Sequence, residues 1–278
     1  MKIAVSAEST VDLTKELAEK FDINIIPYPV IMGDKEYLDG EITSKDIFDF
    51  VAKTNILPKT SAINEETYEN YFKELLKKYD AVIHVCLSSK ISSSIKNATN
   101  AAKKLKNVYI VDSESLSTGI ALLCIKAREM AEKNIEPQII ATTLSELSNK
   151  VQASFVLEKL KYLAKGGRCS SVLAFGANLL SIRPQIVLKD GKMGVGKKYL
   201  GKFDKCVCKY VDDTLSANPN PDLDHAFITY TSSNDIQVNY AKEALKKAGF
   251  VNIYETEAHA TITSHCGPNT IGILFINK

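Results

Sequence analysis

The 278-residue chain contains no tryptophan, carries a formal net charge of only +2, and has no long apolar run. Each shortage removes a class of function. The 35 basic and 33 acidic residues are spread along the sequence, so no strong positive field exists of the kind that draws nucleic acid. The longest apolar stretches, such as Ile271 to Ile276, are far too short to span a bilayer. Met1 to Thr10 reaches Glu8 after a short apolar run and lacks the apolar length and cleavage pattern of a signal peptide, so a soluble, cytoplasmic protein is expected. No Gly-Lys-Ser/Thr run has P-loop spacing and no Gly-x-Gly-x-x-Gly follows a strand, so neither NTP nor a dinucleotide cofactor is expected.

Six cysteines are present, Cys86, Cys124, Cys169, Cys206, Cys208 and Cys266, without paired metal-ligand spacing. Cys206 and Cys208 form the only close pair, and in a helical pattern positions two apart face different ways. Reduced core thiols are expected, with no metal site. His84, His225 and His259 lie in strand-like apolar settings that suit structural roles. With 45% hydrophobic and 24% charged residues the chain can bury a core, which excludes disorder as its main state.

What is there alternates strand-like and helix-like segments, the pattern of a parallel sheet with helices on its faces. Lys2 to Ala7 reads as a strand, Asp12 as the cap of a short helix ending near Phe21, and Ile23 to Met32 as β structure interrupted by Pro27 and Pro29, suited to a sheet edge or exit. Thr43 to Thr54 reads as a helix running into a loop at Asn55 to Ile63. The stripe Tyr68, Tyr71, Phe72, Leu75, Leu76 and Tyr79 predicts a helix capped by Asn64, and such a stripe denotes core packing rather than a cofactor site. Ala81 to Leu87 is a continuous apolar strand, followed by a serine-rich turn, an alanine-rich helix, a strand at Val108 to Val111, and helices at Ser115 to Lys133 and Pro137 to Lys150. The texture changes at Val151, with a strand to Leu157, a glycine-bearing loop at Lys165 to Arg168 and a hairpin signal at Asp190-Gly191. The expected fold is two α/β domains: residues 1–150 with a mainly parallel sheet flanked by helices, and residues 151–278 with a mixed sheet and helices.

Four segments could carry chemistry. The turn Leu87-Ser88-Ser89-Lys90-Ile91-Ser92-Ser93-Ser94 joins the carboxyl end of a strand to a helix start, where free N–H groups, the helix dipole and hydroxyl donors suit a carboxylate or phosphate. The same serines could merely cap the helix. Thr60-Ser61 lies in another loop before a helix. Loops of a parallel sheet open toward one crevice, so the two hydroxyl clusters could converge on one anion. Lys165-Gly166-Gly167-Arg168 sets a permanent charge beside two flexible residues, a pattern also met in ordinary turns. His265-Cys266-Gly267-Pro268 precedes the last strand with a sharp bend that could aim the imidazole into a crevice. A thiol–imidazole pair is not expected, because neighbours in extended chain point to opposite sides.

In this order and spacing the segments resemble the DegV family of bacterial fatty-acid-binding proteins. Glu8-Ser9-Thr10 stands where the family has Asp-Ser-Thr, and Pro58-Lys59-Thr60-Ser61 where it has Pro-Lys-Thr-Ser. Leu87 to Ser92 matches Leu-Ser-Ser-x-Ile-Ser, Val111-Asp112-Ser113 matches Val-Asp-Ser, Leu163 to Arg168 matches Leu-x-Lys-Gly-Gly-Arg, and His265 to Pro268 matches His-x-Gly-Pro. The resemblance covers the whole chain. It implies that Thr60 and Ser92 hold the carboxylate of a long-chain fatty acid, that Ser93 adds a donor, and that Arg168 and His265 belong to the polar network around it. It further implies an acyl tunnel between the two domains, no catalysis, no cofactor, and presentation of the acid to a separate fatty acid kinase for phospholipid synthesis. Departures are Glu8 for Asp, Ala62-Ile63 for Gln-Pro, Ser94-Ile95-Lys96 for Thr-Tyr-Gln, and Lys198-Tyr199-Leu200-Gly201-Lys202 where the family carries Lys-x-Arg-x-Arg. The last leaves the carboxylate residues intact but not the arginines associated with a kinase or acyl phosphate. Two rival readings are an enzyme acting on a small phosphorylated or carboxylated substrate with His265 as acid/base, and a lipid-responsive interaction protein without a kinase partner.

Overall fold

The computed structural model describes residues 1–172, 182–232 and 234–278. The chain opens with β1 (Ile3–Glu8), α1 (Lys15–Lys20) and β2 (Ile23–Ile26), then turns outward through β3 (Pro29–Met32) and β4 (Lys35–Leu38). There follow α2 (Ser44–Thr54), β5 (Lys59–Thr60), α3 (Glu65–Leu76), β6 (Ala81–Cys86), α4 (Ser94–Lys103) and β7 (Val108–Asp112). Four of these strands form a parallel sheet in the order β2-β1-β6-β7, and β4-β3-β5 form a small antiparallel one. β6 is buried at every position, as its near-continuous apolar run requires of a strand covered on both faces. Pro27 ends β2 at the edge of the parallel sheet, and Pro29, which has no N–H to give, takes the first position of β3.

The first helix starts later than the sequence suggests. Thr14, not Asp12, caps α1, its Oγ1 accepting the Leu17 N–H at 3.3 Å. Asp12 is instead fully buried at φ 53°, drawn inward by the Ser117 hydroxyl and the His259 N–H, which its carboxylate accepts. Asn64 caps α3 as expected, and Tyr68, Phe72 and Leu75 of its apolar stripe are buried.

The second half continues with α5 (Thr118–Glu132), α6 (Pro137–Ser148), β8 (Val151–Leu157), α7 (Lys161–Gly166), β9 (Ile182–Lys189), β10 (Lys192–Leu200) and α8 (Phe203–Ala217). It closes with β11 (Pro221–Thr231), α9 (Asp235–Lys247), β12 (Asn252–Glu257), α10 (Ala260–Cys266) and β13 (Thr270–Asn277). Six strands form a mixed sheet in the order β10-β9-β8-β13-β11-β12, antiparallel except for β11 beside β12. Asp190 and Gly191, at φ 50° and 74°, make the two-residue hairpin turn between β9 and β10, both left-handed as such a turn requires.

Helix α5 is the junction of the molecule. It packs against β1 and β6 of the parallel sheet and against β8, β11 and β13 of the mixed sheet, which explains why it is buried almost all round. Strand alternation then sorts the mixed sheet's side chains. Phe155, Leu157, Leu274 and Ile276 join the core shared with α5 and the parallel sheet, while Val156, Ile273 and Phe275 join a second core that includes side chains of α8 and α9. Among the described residues no helix is long and apolar enough to cross a membrane.

Candidate functional site

Four chain segments meet around one partly open cavity. β5 brings Thr60, the turn between β6 and α4 brings Ser92, the end of α7 brings Arg168, and α10 brings His265; all four line the cavity, together with Tyr28. The Thr60 Oγ1 and His265 Nε2 atoms are 2.8 Å apart, and the Tyr28 and Ser92 hydroxyls 2.9 Å apart. Ser93 is exposed and is not among the lining residues; it occupies the N-cap position of α4 without a side-chain capping bond.

Each position has a local cause. Thr60 is placed by pairing opposite Val30 in the small sheet. The serine turn is held by Ser88, whose carbonyl accepts the N–H groups of Ile91 and Ser92 and whose hydroxyl donates to the Gly191 carbonyl at 2.7 Å, tying the turn to the β9–β10 hairpin. Ser94 accepts the Ile63 N–H at 3.1 Å, so that hydroxyl joins the turn to the segment following Thr60.

Two local expectations change. The segment read as a glycine-bearing loop is the carboxyl end of helix α7: Gly167 closes it at φ 69°, and the exposed Arg168 donates through Nη1 to the Gly166 carbonyl at 2.8 Å. His265 lies in the last turn of α10 rather than in extended chain, so Cys266 is its helical neighbour and no strand alternation separates them. The thiol is unsuited to a nucleophilic role for a different reason: burial pushes its pKa up to about 12 and keeps it protonated.

Burial and the neighbouring Arg168 guanidinium push the His265 pKa down to about 4, so the imidazole is neutral near pH 7. Its Nδ1 is buried without a hydrogen-bond partner. An unpaired buried acceptor is better tolerated than an unpaired N–H, which places the proton on Nε2 and makes the ring the donor to Thr60. Thr60 then keeps its own hydrogen free for an acceptor in the cavity. Arg168 supplies the permanent positive charge.

A second cavity lies beside the first, with Leu116, Ile262 and Cys266 in the walls of both. Ser117, Ser154, Thr229 and Thr231 lie in its wall, yet each hydroxyl is engaged elsewhere: Ser117 donates to Asp12, Ser154 pairs with Tyr210, Thr229 with Thr118 and Thr256, and Thr231 donates to the Gly267 carbonyl. The wall therefore offers mostly carbon, which suits an apolar ligand segment.

Beneath the parallel sheet, donor atoms of Glu8, His84 and Cys86 lie within 4.8 Å of one another, a spacing that could accept a metal ion. Both Glu8 oxygens already accept hydrogen bonds at 2.8 Å, from the Tyr68 hydroxyl and the Leu87 N–H, so the carboxylate is satisfied as an internal node joining β1, α3 and the serine turn. Tyr28, Thr261 and Ile262 line the first cavity without having been singled out from the sequence. Pro27 and Pro29 flank Tyr28 and mark a bend, but no spacing rule points it at a serine 64 residues away.

The sequence profile of the DegV family of uncharacterised proteins matches residues 2–278. Among similar proteins, the protein DegV of Bacillus subtilis is 30% identical over 283 residues, covering 100% of both chains. A fatty acid-binding protein of Thermotoga maritima is 30% identical over 280 residues, covering 98% of this chain and 96% of its own. A solved DegV family protein from Thermus thermophilus, described for its fatty acid binding, superposes with a TM-score of 0.91 at 26% identity, each chain covered completely. Profile, relatives and architecture agree over the full length, and the chain belongs to the DegV family.

Proposed function

We propose that the protein binds a long-chain fatty acid, with the carboxylate among Thr60, Ser92, Arg168 and His265 and the acyl chain running through the shared neck into the second cavity. The observation that carries this reading is the pair of neighbouring cavities with Leu116, Ile262 and Cys266 in common: one gathers the Thr60 and Ser92 hydroxyls, a neutral imidazole and a guanidinium, and the other offers mostly carbon. A molecule with one anionic end and a long apolar body fits both at once. Relatives named for fatty acid binding, at 26% and 30% identity over essentially the whole chain, support the same ligand class.

The energetics divide along the ligand. Each buried methylene contributes about 0.8 kcal/mol, so a long tail supplies on the order of 10 kcal/mol before ordering costs are subtracted. The head group must be matched by donors, because an unpaired buried carboxylate costs several kcal/mol or takes up a proton. Affinity thus belongs to the tail, and orientation to Thr60, Ser92 and Arg168. Catalysis is not part of the proposal: the Cys266 thiol is held protonated, and His265 already donates to Thr60. Transfer of the bound acid to a fatty acid kinase completes the carrier reading. Leu200 and Lys202, standing where the family has arginines, speak for the alternative of a lipid-responsive protein without that partner, and a pull-down from the native host separates the two.

Protein purified from a bacterial host should retain fatty acid, seen as adduct mass in native mass spectrometry and as free acid in a solvent extract. The bare chain mass together with an acid-free extract would overturn the reading.

A further inference from the structure

We propose that Tyr28 is a positioning residue for the head group: its phenol donates to Ser92 Oγ and thereby turns the Ser92 hydrogen toward the ligand carboxylate. This deepens the fatty-acid reading and rests on it. Tyr28 is 2% exposed, lines the first cavity, and sits with its hydroxyl 2.9 Å from Ser92 Oγ. A serine hydroxyl has one hydrogen and two lone pairs. One lone pair of Ser92 accepts the Ser94 N–H at 3.2 Å. If Tyr28 donates to the other, the Ser92 hydrogen has the cavity left to enter. The reverse direction would aim that hydrogen at the phenol and offer an incoming carboxylate only lone pairs. An anion in the cavity selects the first arrangement, since a hydroxyl already receiving a hydrogen bond is a better donor to a charged acceptor.

The phenol is a dependable donor here. Burial and the nearby Glu8 carboxylate push its pKa upward, so it keeps its hydrogen across the physiological range. The opposite wall repeats the device, with His265 Nε2 donating to Thr60 Oγ1 at 2.8 Å. Each ligand-facing hydroxyl is thus backed by a donor from a remote part of the chain, a tyrosine from the bend between β2 and β3 and a histidine from α10. Removing only the phenol oxygen should leave the packing and the tail cavity unchanged while the Ser92 hydrogen becomes free to turn away.

The test uses the full-length chain stripped of lipid and titrated with hexadecanoic acid and with 1-hexadecanol, which share a tail and differ in charge at the head. Tyr28→Phe should weaken the acid by about tenfold and the alcohol by less than twofold, with thermal stability nearly unchanged. In a Ser92→Ala background the same substitution should have no further effect on the acid, because the relay ends at Ser92. Equal losses for acid and alcohol would assign Tyr28 to packing and overturn the proposal, as would an unchanged acid affinity. If Tyr28→Phe fails to fold, 3-fluorotyrosine incorporated in place of tyrosine keeps the ring and strengthens the phenol as a donor, and at this site it should tighten the acid relative to the alcohol in the wild type but not in Ser92→Ala; no such difference overturns the proposal. A wild-type chain that binds no acid overturns the fatty-acid reading and this proposal with it, whereas a wild-type chain that binds tightly beside an indifferent Tyr28→Phe overturns the proposal alone.

Discussion

A methyl group on Gly166 would lie 2.7 Å from His265 Nδ1, far inside van der Waals contact. Glycine is required there because the end of α7 must approach the imidazole that donates to Thr60. Gly166→Ala should therefore displace the ring, destabilise the fold by about 1–3 kcal/mol as overpacking does, and weaken fatty acid binding; a thermal melt and a fluorescent fatty-acid titration on one sample read both. Full affinity in a destabilised variant would show that the ring's position is irrelevant to the ligand. The hydroxyls permit a cleaner substitution. Thr60→Val keeps the shape and loses the donor, and a hydrogen bond to a charged group is worth about 1.5–3 kcal/mol, so the acid should bind tenfold or more weakly, and more weakly again with Ser92→Ala. Equal titration curves for the double variant and the wild type would remove both residues from the site. Thr60, Ser92, Arg168 and His265 stand out in the sequence as hydroxyls, a permanent cation and a histidine beside glycines, but residue chemistry alone left capping and ordinary turns open, and only the resemblance to the DegV family assigned them to a carboxylate. Tyr28 does not stand out, since a tyrosine between two prolines has no periodic signature and its role depends on a contact across 64 residues.

Helix α10 is short, and its sequence Ala-Thr-Ile-Thr-Ser-His-Cys is poor in helix formers, which is why the segment before the last strand reads as a bend. Tertiary contacts make it a helix. His259 at its N-cap makes no side-chain capping bond, its Nδ1 lying 3.2 Å from the Ser9 carbonyl instead; the Asp39 carboxylate accepts the N–H groups of Ala260 at 2.9 Å and Thr261 at 3.3 Å, and Asp12 accepts that of His259 at 2.8 Å. Those capping groups lie 221 to 247 residues away in sequence, beyond any local rule, whereas α3 and the Asp190-Gly191 hairpin obey local rules and were legible. Asp12 also makes α10 sensitive to pH. Desolvation raises its pKa to about 7, against the opposing pull of His259 and Ser117. A carboxyl whose folded value is raised keeps its proton where the unfolded chain has lost it. Its contribution to stability is full below the ordinary aspartate range near 4, declines by up to about 1.4 kcal/mol per pH unit as pH rises toward 7, and is flat above. The Tm of wild type relative to Asp12→Asn should therefore fall between pH 4 and pH 7 and level off beyond. Parallel melting profiles for the two proteins over that range would contradict the buried, proton-retaining carboxyl.

Strands β8, β11 and β13 of the mixed sheet, α10 and the residues just before α5 wall the second cavity, the space that the motifs could not report. Alternating strands and helices made the two kinds of sheet predictable, but the tail's path depends on which buried hydroxyls turn away from it, and Ser117, Ser154, Thr229 and Thr231 do so by bonding to partners on other elements. On the proposed path the neck is formed by the residues common to both cavities, Leu116 before α5 and Ile262 and Cys266 on α10, so two separated parts of the chain would set its width. This gives chain length a physical meaning. In the wild type, each added methylene that passes the neck should gain about 0.8 kcal/mol, close to fourfold in affinity, until the second cavity is filled. Cys266→Phe adds a ring where the two cavities share a wall and leaves Thr60, Ser92 and Arg168 unmutated. Short acids that end before the neck should bind it as they bind the wild type, and longer acids should gain nothing from added methylenes, so a plot of log affinity against chain length should break at the blocked position. A variant whose plot stays parallel to the wild type's at every length would show that the tail leaves the first cavity by another route.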